Sequence, residues 1–390
     1  MKLVHRNVIL LSCLQGFLLT NGITLVAVNG LVGVSLAPMK WLATFPVTAY
    51  VLGSALTTLP AAFFMKRHGR SRGFMLGSGL GVAGALTGAL AISIGSFWLL
   101  CLGTLLAGAY NAFGAQYRFA AADAADVSWK SKAISLTLAG GIMGGVVGPE
   151  LSKYTRELMT PIFMASYLTL AGFAFLSLLI ASRLDIPPLS TSEQQAKGRP
   201  LAVIAAQPKF IVAVLAAACG YGVMNLLMTA TPIAMEICRY PFAEAAFVLE
   251  WHVIGMFAPS FFTGHLIRRF GLLPVMFTGA LLNFLCIGIA LAGFAVMNFW
   301  WALTLLGVGW NFLFIGGTTL LTETYRPEER AKVQGFNDFL IFAVMGISSL
   351  SSGVVITGAG WNTLNLIAIP AIALTAIATA TLWWRTPAKA

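Results

Sequence analysis

Along this chain, runs of roughly 20 apolar residues alternate with short charged or Pro/Gly-bearing breaks from one end to the other. A run of that length, coiled as an α-helix, crosses a hydrocarbon core of roughly 30 Å. The pattern predicts a first set of helices near 8–34, 42–65, 73–94, 97–120, 132–151 and 158–181. A second set is expected near 209–232, 244–266, 272–294, 299–322, 333–356 and 361–384. The expected fold class is an all-α integral membrane protein with 12 transmembrane helices in two pseudo-symmetric six-helix bundles. The longest polar stretch, 182–207, carries Asp185, Pro187, Pro188, Ser190, Glu193, Gln194, Gln195 and Lys197. It reads as a linker, which makes 1–181 one bundle and 208–390 the other. The first apolar run has no small-residue cleavage site of the A-x-A kind, so it reads as a retained helix.

Composition agrees with lipid as the main solvent. Of 390 residues, 58% are hydrophobic and 9% charged, against roughly a quarter charged in soluble domains. That balance cannot coat a water-soluble globule. The net charge of +11 does not point to nucleic acid, because the basic residues fall between apolar runs instead of forming one basic face. It does set an orientation. With both termini in the cytoplasm, 20 of the 24 Lys and Arg lie on that side, leaving only Lys40, Lys153, Arg156 and Arg239 outside. A bacterial inner-membrane protein with a cytoplasmic linker is the expectation.

Soluble chemistry finds little support. The five cysteines Cys13, Cys101, Cys219, Cys238 and Cys286 show no C-x-x-C pair and read as packing residues. The four histidines His5, His68, His252 and His265 are scattered, and no G-x-x-x-x-G-K-[ST] run exists to bind ATP. An intramembrane enzyme would call for paired histidines or acidic clusters within the apolar runs, and none is present. No cofactor or metal is expected, and the implied partners are a small-molecule substrate, protons and the bilayer.

The halves echo each other. At an offset of 200, Leu106, Tyr110, Asn111, Asp123 and Lys132 meet Leu306, Trp310, Asn311, Glu323 and Lys332. At an offset of 202, Val51, Gly53, Arg67 and Gly69 meet Val253, Gly255, Arg269 and Gly271. Two halves of like topology place a substrate path at the repeat interface.

Six plus six helices, a polar centre and basic turns after the second and eighth helices resemble the major facilitator superfamily. The turn Ala62, Phe63, Phe64, Met65, Lys66, Arg67, His68, Gly69, Arg70 matches the Arg-x-Gly-Arg end of its G-x-L-x-D-R-x-G-R signature, with Lys66 at the acidic position. Its counterpart runs Gly264, His265, Leu266, Ile267, Arg268, Arg269, Phe270, Gly271. Glycine permits the tight reversal, and the cations are placed to meet acids closing the fourth and tenth helices, Asp123 and Glu323. Arg67, Gly69, Arg269 and Gly271 are thus gating candidates with those acids; solvated positive-inside residues are the alternative. Gly144, Gly148 and Pro149 match a G-x-x-x-G-P core that the family associates with antiporters and drug exporters. They could seal the two halves together, or serve as ordinary small-residue packing. What the resemblance implies is a monomeric secondary transporter, with proton-coupled export of a small organic molecule as the main reading. Uptake of a nutrient or vitamin-like metabolite is the alternative.

Ionisable side chains inside apolar runs are functional candidates by default. Glu250 lies about two turns into the eighth helix beside Trp251 and His252, and suits a group that takes and releases a proton; an interfacial carboxylate paired with Arg239 or Lys153 is the alternative. Asp338, after Asn337, is a second proton site, or a gate residue drawn to the helix start and to Arg67 or Lys332. Arg118 reads as a snorkelling cation. By the resemblance, Gln15, Asn21, Tyr50, Tyr110, Asn111, Gln116, Tyr221, Asn225, His252, Trp310 and Asn311 are candidates to line the central cavity. Aromatic faces with a few amides suit a mid-sized, partly planar organic molecule.

Overall fold

The computed structural model describes residues 2–39, 42, 45–186 and 198–385. An apolar solvent offers backbone groups no hydrogen bonds, so the apolar runs coil into helices that satisfy them internally. In chain order these are α1 Lys2–Leu36, α2 Phe45–His68, α3 Arg70–Ile94, α4 Phe97–Gly114, α5 Tyr117–Ala124, α6 Lys130–Ala139, α7 Gly141–Thr155 and α8 Met164–Ala181. The second half follows with α9 Leu201–Ala205, α10 Pro208–Ile237, α11 Phe242–Phe257, α12 Ser260–Phe270, α13 Leu272–Leu291, α14 Val296–Leu321 and α15 Arg330–Arg385.

Among the described residues, ten helices are long and apolar enough to cross a membrane, and eleven if α11 and α12, bent by 42°, form one broken span. The 56-residue α15 is interrupted at Gly360, where φ of 80° and ψ of 176° are not helical. Gly360 divides that helix into two stretches, 330–359 and 361–385, close to the last two predicted segments.

The chain packs into two compact units. The first comprises Met1–Ala124, Gly140–Gly198 and Arg326–Phe342; the second comprises Ala125–Ala139, Arg199–Tyr325 and Ala343–Ala390. Each unit therefore holds one short stretch of the other half's sequence. In the first, α4 packs on α2 and α3, α3 on α8, and α1 on α7. In the second, α14 packs on α10, α11 and α13, and α6 packs on α12. The Ser135 hydroxyl donates to the Ser260 carbonyl and accepts from the Gly264 backbone N–H at 3.1 Å, which fastens α6 to α12.

Glycines set how closely the helices approach. A Cβ at Gly53 would lie 2.1 Å from the Leu105 carbonyl oxygen, and one at Gly108 would lie 2.1 Å from that of Tyr50. The second unit repeats the seam: a Cβ at Gly255 would lie 2.6 Å from the Thr304 oxygen, and one at Gly307 would lie 2.5 Å from that of His252. The sequence echo is thus an echo of packing, with Tyr50 and His252 in matched places. The basic turns match as well. Gly69 has φ 89° and ψ 159°, and Gly271 has φ 94° and ψ 159°, a conformation that side chains with a Cβ rarely adopt.

Parts of the expected linker are anchored within each unit. The Asn7 amide donates to the Asp185 carbonyl at 2.7 Å, and the side chains of Arg199 and Gln207 donate to the Thr324 carbonyl at 2.9 and 3.1 Å. The centre of the linker, 187–197, and Lys40 lie outside the described residues.

Candidate transport site

In the first unit, the turn after α2, the end of α4, α5 and the start of α15 converge on one polar network. The Arg70 guanidinium donates to Asp123 Oδ2 at 2.7 Å, to Gln116 Oε1 at 3.0 Å and to Gln334 Oε1 at 2.7 Å. Arg330 reaches the same Asp123 oxygen at 2.9 Å. The Gln116 amide then donates to Asp338 Oδ2 at 2.7 Å, while Arg118 and Asn337 both donate to Asp338 Oδ1. Two cations on Asp123 and one on Asp338 compensate both carboxylates at a depth where an unpaired charge is costly.

This geometry corrects several expectations. Asp123 meets Arg70 and Arg330, and Arg67 is exposed; the last Arg of the motif, the first residue of α3, is buried and turns inward to Gln116 and Asp123. Arg118 does not snorkel but lies buried on Asp338, so Asp338 draws on Arg118 and not on Arg67 or Lys332. Arg269 is exposed, with its guanidinium 5.2 Å from the Phe270 ring, and Glu323 pairs with Lys209 at 2.6 Å. Gly144 and Gly148 meet α1 inside their own unit, at Leu19 and Ile23, and the Thr24 hydroxyl donates to the Gly148 carbonyl at 3.0 Å. Pro149 follows within α7.

The cavity candidates separate into three kinds. Asn21, Tyr50 and Tyr110, with Leu18, Gly22 and Ala107, line a cavity of about 10 Å³ in the first unit, which is room for about one water. The Tyr110 hydroxyl donates to Ser177 Oγ at 2.9 Å and the Asn21 amide to the Phe17 carbonyl at 3.0 Å. In the second unit an aromatic cluster forms. Tyr221 stands edge-on to Trp310 and Phe314, both with centroids at 5.0 Å; Trp310 stacks on Phe314 at 4.9 Å, and Phe257 meets Trp310 at 5.7 Å. Only Tyr221 of the four is more than marginally exposed. Trp310 Nε1 is buried without a hydrogen-bond partner among the described residues.

Four of the remaining candidates, Asn111, Asn311, Asn225 and His252, bond to a neighbouring helix. The Asn111 amide donates to Ser54 Oγ at 3.1 Å. Its counterpart Asn311 donates to the Met256 carbonyl and to Ser260 Oγ, both at 2.6 Å, and accepts from Thr263 at 2.7 Å. It thereby occupies the break between α11 and α12. Asn225 donates to the Met345 carbonyl and Ser348 Oγ, both at 3.1 Å, and Gln15 is buried in α1. His252 is fully buried, with Nδ1 2.7 Å from the Leu303 carbonyl. A carbonyl only accepts, so Nδ1 carries the proton, and Nε2 is left buried without a partner among the described residues. Glu250, in contrast, is exposed and makes no ion pair or hydrogen bond among the described residues.

The sequence reading missed Arg70, Arg330 and Gln334 as members of the network. Arg70 lies in the basic turn after α2, but its inward direction depends on where α3 begins. The other two carry no local signal, because their partners are more than 200 residues away.

Comparison with known proteins places this architecture. The chain is 41% identical over 373 residues to the riboflavin transporter RfnT of Brucella anthropi, covering 95% of this chain and 94% of that one. It is 29% identical over 364 residues to an MFS-type transporter of Bacillus subtilis, YdeG, covering 88% of this chain and 84% of that one. Among solved structures it resembles the fucose:proton symporter FucP of E. coli, with a TM-score of 0.78, 20% identity and coverage of 95% and 97%. It also resembles the human organic anion transporter MFSD10, with a TM-score of 0.78, 13% identity and coverage of 96% and 99%. The family model described as Major Facilitator Superfamily matches residues 8–314 and 213–390. The chain belongs to the major facilitator superfamily of secondary transporters and is not an enzyme.

Proposed function

We propose that this protein takes up riboflavin, or a vitamin-like compound that joins a planar heteroaromatic ring to a hydroxylated chain, by alternating access. The observation that carries this reading is the 41% identity, sustained over 95% of the chain, to a protein named as a riboflavin transporter. The residue types present suit such a cargo: Tyr221 at the edge of an aromatic cluster offers a flat apolar surface, and Asn21 with Tyr50 offers polar groups.

Export in exchange for protons, the main reading from sequence, leaned on the Gly144, Gly148 and Pro149 run. The two glycines have a packing role on α1 that does not depend on transport direction, so uptake is the preferred reading. Proton coupling belongs to the proposal, with Asp338 and Glu250 as its two carboxylates. So do a bacterial inner-membrane location, cytoplasmic termini and a monomeric state.

The test is growth and uptake. A bacterium unable to make riboflavin and lacking a transporter for it should grow on low external riboflavin when it expresses this chain. It should also accumulate the labelled vitamin, and a protonophore should abolish accumulation if protons drive it. Absence of growth, combined with faster loss of preloaded vitamin from expressing cells, would establish export instead.

A further inference from the structure

Glu250 is the ninth residue of α11, roughly 12 Å along the axis from Phe242. A carboxylate at that depth has no ion-pair or hydrogen-bond partner among the described residues, yet it is exposed. Exposure of an unpaired charge in a membrane helix calls for water, since lipid cannot solvate it. The helix has a packed side and an exposed side. Ala245, Val248, His252 and Met256 are buried, and the His252 carbonyl and Met256 amide lie where a Cβ on Gly307 of α14 would fall. Ala246, Glu250, Ile254 and Phe257 follow each other on the opposite face at spacings of three and four. Exposure falls along that stripe: Ala246 and Glu250 are exposed, Ile254 is half-buried and Phe257 is buried against Trp310.

We infer that this stripe of α11 is a substrate-recognition face, with Glu250 accepting hydrogen bonds from the hydroxylated end of the cargo while its ring end meets the cluster of Tyr221, Phe257 and Trp310. The inference rests on the riboflavin reading and adds the specificity residue. A second observation supports it: Trp310 Nε1, at the lower end of the stripe, is a buried donor without a partner among the described residues. From Glu250 to Phe257 is about two turns, roughly 10 Å, a length on the scale of a tricyclic ring joined to a short polyol chain. An ionised carboxylate is acceptor-only and binds neighbouring hydroxyls strongly, which makes it a discriminator between flavins with and without the chain.

Two measurements test this. In Glu250→Gln, which keeps the shape, riboflavin binding should weaken about tenfold, while a flavin with a methyl group in place of the chain binds as before; Glu250→Asp should recover part of the loss. Equal weakening of both ligands, or of neither, overturns the assignment. Separately, Glu250→Cys in a chain whose five native cysteines are serine should react with a membrane-impermeant thiol reagent in whole cells, and riboflavin should slow that reaction. No labelling would place Glu250 against lipid and overturn the inference. Labelling in a chain whose parent shows no riboflavin binding would remove the proposed cargo and leave the water-lined face standing.

Discussion

Arg118 and Asp338, 220 residues apart, form an ion pair inside the first unit with side chains 6% and 1% exposed. The carboxylate also accepts from Gln116 and Asn337, so the first turns of α15 are tied to α5 and the residue before it by an ion pair and a hydrogen bond. Removing one partner of such a pair strands the other, at a cost of about 3–5 kcal/mol. Arg118→Ala and Asp338→Ala should each lower thermal stability in detergent by a large margin. Arg118→Met combined with Asp338→Leu should regain most of it, because two apolar groups leave no orphaned charge. A double variant as unstable as the sum of the singles would show that the two residues act separately.

The two arginines of the turn after α2 should behave differently. Arg70 carries hydrogen bonds to Asp123, Gln116 and Gln334, whereas Arg67 is exposed. Arg70→Ala is expected to cost about 2–4 kcal/mol and to lower transport turnover. Arg67→Ala should stay within about 0.5 kcal/mol of the parent, with substrate affinity unchanged. Chemical denaturation and initial uptake rates separate the two, and a slow Arg67→Ala beside a normal Arg70→Ala would reverse the assignment.

Helix α1 meets the stretch around α7 at glycines that have no room for a methyl group. A Cβ on Gly140 would lie 1.9 Å from the Ser12 carbonyl oxygen, and one on Gly144 would lie 2.5 Å from Leu19 Cβ. Gly140→Ala and Gly144→Ala should each destabilise by about 1–3 kcal/mol, the usual cost of overpacking. Gly172→Ala, with nothing within 4 Å of the new atom, should be neutral or slightly stabilising. Melting temperatures of the three variants decide the matter.

The topology proposed from charge can be read with single cysteines. Ser190→Cys, in the polar stretch, should be shielded from an impermeant reagent added to intact cells, and Glu157→Cys, at an exposed site, should react. The reverse pattern would turn the protein over in the membrane, against the 20-to-4 distribution of its Lys and Arg.

Much of the architecture was legible because its causes are local. Apolar length determines which segments span, and Gly69 and Gly271 show by type that their turns need a left-handed backbone. The repeat of Gly53 with Gly255, visible as spacing, became a repeated helix seam. The site was less legible. Asn111 and Asn311 looked like cavity residues, since an amide in an apolar run reads the same whether it meets a ligand or a neighbouring helix. Both bond to a neighbouring helix, which only the packing reveals.

By itself, the sequence determined the apolar segments and the twofold pattern, because hydrophobic length and residue spacing act without reference to partners. Only the tertiary structure decided which cation meets which acid. Arg70 and Arg330 share Asp123, and Arg118 meets Asp338. An ion pair in a low-dielectric interior is selected by distance and desolvation between groups far apart in the chain, and no local spacing encodes which two groups packing will bring together.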